Sequence, residues 1–193
     1  MPPISLVRRP AIRPSGLAVR AGLVLLVTLA SLLVAGRLRV PPTVRTSEVG
    51  RTPTAVVVDV RTRRVFVANF GSNTVSMLDT ASGAVLATII VSPHPSALAI
   101  ATTAARVCAV SDHVTPDGAG RVSVLDATSG RLLRTVAVGQ GEHALAVHEG
   151  TGRVFVTNAA DASVSLLEAP SGRVLRTLPL GFTPTAITVD DYG

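Results

Sequence analysis

The chain has 193 residues, of which eighteen are arginine and none lysine, against twelve acids, for a formal charge of +6. Six of the arginines (8, 9, 13, 20, 37 and 39) fall in residues 1–40, which hold no acid, so residues 41–193 are neutral. That distribution argues against a nucleic-acid binder, which needs a basic stripe on its folded face, and a single cysteine, Cys108, excludes an internal disulfide or a thiolate zinc cluster.

From the N-terminus, residues 1–20 form a basic n-region and Ala21–Gly36 an uncharged apolar run, closed by Arg37 and Arg39. This is the pattern of a secretory signal peptide or a signal anchor, and an apolar helix is expected over 21–36. The run is slightly shorter than the ~20 residues of a comfortable membrane span. Residues 37–43 read as a linker, in which Pro41-Pro42 breaks any helix. Upstream arginines stay on the cytoplasmic side. The remainder is therefore expected to be extracytoplasmic: secreted, periplasmic, or held at the cell surface by a single uncleaved transmembrane helix.

After the linker, one block is written three times. Arg64-Val-Phe-Val-Ala-Asn69 returns as Arg106-Val-Cys-Ala-Val-Ser111 and Arg153-Val-Phe-Val-Thr-Asn158, and Val75-Ser-Met-Leu-Asp79 returns at Val122–Asp126 and Val164–Glu168. The offset is 42 residues, or 47 across an insertion in the second copy. Such a period marks one supersecondary unit stacked on its neighbours. Each copy resolves into four short segments, in the first Ala55–Asp59, Val65–Asn69, Val75–Asp79 and Val85–Val91, separated by Gly/Ser/Asn turns. That is the spacing of a propeller blade. The expected fold class is all-β, a β-propeller of four-stranded antiparallel blades. A partial propeller should span 44–193, with blades at 54–92, 96–139 and 143–181.

The turns Asp79-Thr-Ala-Ser-Gly83, Asp126-Ala-Thr-Ser-Gly130 and Glu168-Ala-Pro-Ser-Gly172 place an acid where it can accept turn amides and a glycine where a left-handed residue closes a hairpin. These recurring acids read as turn parts, not as a catalytic pair. Asn69, Ser111 and Asn158, at the ends of the second strands, likewise read as turn-satisfying groups. Cys108 occupies a strand position and is expected in the core.

Val65-Phe-Val-Ala-Asn69 and Val154-Phe-Val-Thr-Asn158, with the Gly-Ser-Asn-Thr-Val-Ser and Asp-x-x-Ser-Gly elements, resemble the YVTN family of β-propeller repeats over roughly residues 44–190. Phe66 and Phe155 stand where that family has Tyr, and Cys108 departs further. The resemblance implies a propeller, commonly seven-bladed and often exported, that binds a ligand or partner on one face.

The blade count does not close. Val44–Val49 aligns with Leu86–Val91 and reads as a stray outer strand at 44–49; Ala186–Asp190 aligns with Ala55–Asp59 and reads as a stray inner strand at 186–190. This pattern matches a closure in which one blade takes strands from both chain ends, with its two middle strands absent. Propellers close with about four to eight blades. The expectation is an incomplete arc, a truncated product or one that further blades or self-association would complete.

The connections between fourth and first strands, and between second and third, share one face, and there the copies differ. The insertion carries Asp112, His113 and Asp117, and neighbouring connections bring His94 and Glu142-His143. Histidines and carboxylates are metal ligands and acid–base groups. His94, Asp112, His113, Asp117, Glu142 and His143 are therefore the candidate ligand-binding residues; no catalytic residue is identified, and the set admits a metal ion as cofactor. His148, at the opposite end of its strand, is expected to be exposed. No phosphate loop, dinucleotide fingerprint, Gly-x-Ser-x-Gly elbow or His-Glu-x-x-His occurs. The leading function is a noncatalytic binding or scaffold module for a protein or small ligand. Propellers similar to this one also occur as lactone hydrolases and quinone- or copper-dependent oxidoreductases, so a propeller-type enzyme is the alternative, and a nonfunctional fragment a third.

Overall fold

The computed structural model describes residues 46–111, 119–141 and 144–190. The helix expected at 21–36, with the n-region and linker around it, lies outside the described residues. Strands β1 (Pro53–Asp59), β2 (Arg64–Asn69), β3 (Thr74–Asp79) and β4 (Val85–Ile90) form one sheet. A second contains β5 (Pro95–Ala101), β6 (Arg106–Ser111), β7 (Gly120–Asp126) and β8 (Leu132–Val138). The third contains β9 (Leu145–His148), β10 (Arg153–Asn158), β11 (Ser163–Glu168) and β12 (Arg173–Pro179). In each sheet the chain order is the spatial order, and neighbouring strands pair antiparallel.

Small and β-branched residues suit these strands because they pack well on a pleated surface. The third strand of the first sheet, covered on both faces, is almost wholly buried, whereas β4 alternates exposed and half-buried residues. Irregularities repeat with the sequence. Pairing of third and fourth strands slips at Met77/Leu78, Val124/Leu125 and Leu166/Leu167, a bulge that increases local twist. Pairing of first and second strands slips beside Pro53 and Pro95, where proline has no N–H for the ladder.

The acidic turns form largely as expected. Asp79 Oδ1 accepts the Ala81 amide at 3.1 Å, the Ser82 amide at 2.9 Å and the Ser82 hydroxyl at 2.8 Å. Asp126 repeats this with Thr128 and Ser129. The Ser82 amide holds the Asp79 carboxyl below the usual aspartate range, and the Ser129 amide does so for Asp126. Gly83, Gly130 and Gly172 close the turns with φ of 71°, 73° and 64°. Glu168 differs, since its longer side chain reaches the Ser171 hydroxyl at 2.6 Å.

The sheets stack face to face. Phe66, Val75, Met77, Val107, Ala109 and Leu125 fill the first interface, and Cys108, Val110, Val124, Val154, Val156 and Leu167 the second. Burial pushes the Cys108 thiol up to about 12, so it stays protonated and unreactive. The inner strands lie side by side, β1 against β5 and β5 against β9. Thr102 is gripped from both neighbouring sheets. Arg61 Nη1 donates to its carbonyl at 3.0 Å, while its amide donates to Glu149 Oε1 at 2.7 Å. Burial alone would raise the Glu149 carboxyl, but the bonds from Thr103 and Thr102 outweigh it and hold the group below the usual glutamate range.

Three expectations are corrected. Residues 46–49 and 186–190, expected within stray strands, carry no strand, because a ladder needs a partner backbone. Their placement still follows the repeat. A Cβ on Gly130 would meet Ile89 at 3.4 Å, and one on Gly83 would meet Ser47 at 2.9 Å; Ser47 stands 42 residues before Ile89. The Ser47 hydroxyl donates to the Gly83 carbonyl at 2.7 Å. Segment 46–50 thus lies where an outer strand belongs. At the other end Ile187 and Val189 are half-buried between exposed neighbours, as an inner strand would be. Third, His148 is half-buried rather than exposed, and its Nδ1 accepts the Thr151 amide at 3.1 Å.

Candidate ligand-binding loop face

Of the six candidate residues, His94 falls among the described residues; Asp112, His113, Asp117, Glu142 and His143 lie outside them. His94 stands in the β4–β5 connection, between Pro93 and Pro95. Its backbone is left-handed, with φ 55°, a conformation that a residue with a Cβ keeps only when its surroundings hold it there. Asn73, itself left-handed at φ 57°, provides the hold. Its Oδ1 accepts the His94 amide at 2.9 Å and its carbonyl accepts the Val91 amide at 3.1 Å. The imidazole stacks on Phe70, with centroids 4.6 Å apart and planes at 28°. Backbone and ring are thus fixed by separate contacts, and the imidazole is presented in a set orientation.

Beneath this face runs a buried polar layer. Asn69 Nδ2 donates to Thr74 Oγ1 at 3.1 Å and Ser76 Oγ at 2.9 Å; Asn158 Nδ2 donates to Ser163 Oγ and Ser165 Oγ, both at 3.0 Å. These asparagines were expected to satisfy turns. They instead tie second strand to third, because their side chains point across the sheet into its interior. Their Oδ1 atoms are buried without a hydrogen-bond partner. In the second sheet Ser111 replaces asparagine and donates to the Ser92 carbonyl at 3.0 Å, while the Ser92 amide donates to Ser123 Oγ at 3.2 Å.

The same positions set how closely the connections approach. A Cβ on Gly50 would lie 2.7 Å from Asn69 Cγ, and one on Gly139 would lie 2.6 Å from Asn158 Cγ. Ser92, at the corresponding repeat position, has a Cβ and faces the smaller Ser111. The connections are also laced together: the Arg51 amide donates to Ser72 Oγ at 2.6 Å, and the Gln140 amide to Asp161 Oδ2 at 2.7 Å. Sequence reasoning missed Phe70 and Asn73 as the supports of His94. The Gly71-Ser-Asn73 turn was the available signal, since asparagine tolerates the left-handed region.

The face can offer imidazole, amide and hydroxyl groups to a ligand. Among the described residues no three His, Cys, Asp or Glu side chains gather as a metal site. No helix among them is long and apolar enough to cross a membrane.

Three stacked four-stranded sheets whose first strands run side by side also occur in solved proteins. The crystal structure of RRP9 WD40 repeats superposes with a TM-score of 0.61 at 19% identity, over 75% of this chain and 43% of that one. The fold is that of a β-propeller. The U3-55K structure gives a TM-score of 0.61 at 19% identity, over 75% and 44% of the two chains. That of Citrobacter koseri AztD gives 0.59 at 14%, over 76% and 40%. The chain spans less than half the length of these propellers. No protein-family profile matches it, and neither does any curated protein.

Proposed function

We propose that the chain is a YVTN-type propeller module that binds a protein or small ligand on its loop face, outside the cytoplasmic membrane. The observation that carries this reading is the contrast between support and surface. The strands, bulges and acidic turns repeat, while the connections above the Asn/Ser layer differ from sheet to sheet and hold His94 in a set orientation. Rigid scaffolds carrying variable loops are the usual way of building recognition surfaces. The basic and apolar N-terminus supports export, or retention as an anchor. Asp112, His113, Asp117, Glu142 and His143 belong to the same connections in sequence and would add imidazole and carboxylate groups, donors suited to a metal ion.

The test uses the full chain carrying a photocrosslinking residue at position 113 or at Ala81, on the opposite face, in cells that produce it. Discrete adducts are expected from 113 and not from 81; the same adducts from both would sink the reading. Titration of the purified chain with Cu(II), Zn(II) and Ca(II) decides the metal. Without saturable binding at micromolar metal, the ligand is not a metal ion.

A further inference from the structure

The outer edges of the three sheets differ at positions that the repeat makes comparable. Each sheet ends on its fourth strand, β4, β8 or β12, and among the described residues no strand lies beyond it. Propeller blades stack face on face, so these outer edges stay open whatever repeats flank them. At three spaced positions the second sheet holds Arg131, Arg134 and Ala137, and the third holds Arg173, Arg176 and Pro179. Charge and proline on an edge strand oppose its pairing with another chain. The first sheet has Ala84, Ala87 and Ile90 at those positions, and residues 80–91 carry no charge. Ile90 is 78% exposed and Leu86 47% exposed. The backbone is turned outward at the same place. The Val91 amide donates to the Asn73 carbonyl, and Thr74 and Ser76 stand opposite Ile90 and Thr88. Bonded and non-bonded pairs alternate along an antiparallel ladder, so Thr88 and Ile90 direct N–H and C=O away from β3. Pro179, at the Ile90 position, has no N–H to offer.

We infer that β4 pairs edge to edge with β4 of a second copy of this chain, antiparallel about a two-fold axis at Thr88. Two four-stranded sheets then become one continuous sheet. Side chains alternate along a strand, so residues directly opposite each other must share a face. Centring the pair on Thr88 meets that rule: Thr88 faces its own copy, Leu86 faces Ile90, and Ala87 faces Ile89. Leu86, Thr88 and Ile90 are exposed while Ala87 and Ile89 are half-buried, so each pair joins like environments. Threonine pairs and aliphatic pairs across strands are favourable. Charge selects the occupant. Self-pairing repeats every charge across the axis, and a neutral edge escapes that repulsion. The same register on β8 would set Arg134 diagonal to its copy, within reach of a long side chain. On β12 it would do so with Arg176 and would also place Pro179 in the ladder. The second copy therefore fits β4 and is refused by β8 and β12.

The probe is a cysteine placed on the axis. In a hydrogen-bonded antiparallel pair, opposite Cα atoms lie about 5.5 Å apart, within the span of a disulfide. The full chain carrying Thr88→Cys should form a disulfide-linked dimer under mild oxidation. Thr135→Cys and Thr177→Cys, at the same repeat position of the other two edges, should not. Cys108 is buried and does not compete. Dimer yield from Thr88→Cys should fall roughly tenfold or more when Ala87→Arg or Ile90→Pro is added, since symmetry counts each change twice. Both changes copy residues that the sister strands hold, so circular dichroism should show each variant folded. Sedimentation of the unaltered chain should show a dimer that Ala87→Arg dissociates. Equal crosslinking from all three cysteines, a dimer indifferent to Ala87→Arg and Ile90→Pro, or a monomer in sedimentation overturns the inference. So does a Thr88→Cys adduct in cells to a different protein in place of the second copy.

Discussion

The two sheet-to-sheet interfaces are built on the same repeat positions but solve the packing differently. In the first, Phe66 shares its cluster with Ala109; in the second, Cys108 shares its cluster with Val156. At the loop end, glycine faces asparagine in the pairs Gly50–Asn69 and Gly139–Asn158, while serine faces serine in Ser92–Ser111. At the opposite end, Arg61 reaches the Thr102 carbonyl across the first interface, and Glu149 takes the Thr102 and Thr103 amides across the second. The difference teaches that the repeat specifies positions rather than residues. Within each interface a larger residue on one sheet goes with a smaller one on the next, because interiors are close-packed and a change on one sheet must be answered on its neighbour.

The largest effect is expected from emptying the first interface. Phe66→Ala should cost about 3–5 kcal/mol in chemical denaturation, against about 1 kcal/mol for Cys108→Ala, which removes roughly one buried methylene equivalent. Equal losses would show that the two interfaces do not differ as described. Next, Cys108→Phe should cost about 1–3 kcal/mol by overpacking, and adding Val156→Ala should recover most of it; additive losses would refute the compensation. Gly139→Ser should cost a similar ~1–3 kcal/mol, since its Cβ would lie 2.6 Å from Asn158 Cγ. Adding Asn158→Ser, which recreates the Ser92–Ser111 pair, should restore part of the melting temperature.

A smaller effect separates the interfaces by pH. Glu149 has a folded-state pKa below its ordinary value of 4.5. Its contribution is therefore complete above that value and is lost as pH falls through the lower, folded-state one. Glu149→Gln should flatten the fall of melting temperature in this acid range, whereas Arg61→Gln, at the first interface, should leave the slope unchanged. The smallest effect is chemical. With its thiol pushed up to about 12, Cys108 should resist iodoacetamide at neutral pH until the chain is denatured, as mass spectrometry would show.

Much of the architecture was legible in the sequence because it rests on local chemistry. Period-two apolar runs with Gly/Ser/Asn turns mark the strands, and Asp79 and Asp126 satisfy amides only two and three residues away. Glu168 broke that pattern because one more methylene carries its carboxylate past those amides to the Ser171 hydroxyl. The candidate site was less legible. His94 could be named from its place in a connection between a fourth and a first strand, but the stack on Phe70 and the bond to Asn73 join residues about twenty positions away, whose approach no local pattern encodes.

By itself, then, the sequence determined the repeat, the strand order within each sheet and the turn chemistry, all of which follow from interactions within a few residues. Only the tertiary structure decided that Asn69 and Asn158 bridge strands instead of capping turns, that His148 is half-buried, and that segments 46–49 and 186–190 lie at strand positions without becoming strands. Those outcomes depend on which side chains meet across a strand pair or turn once the sheet has formed, and on whether a partner backbone lies within reach of each terminal segment.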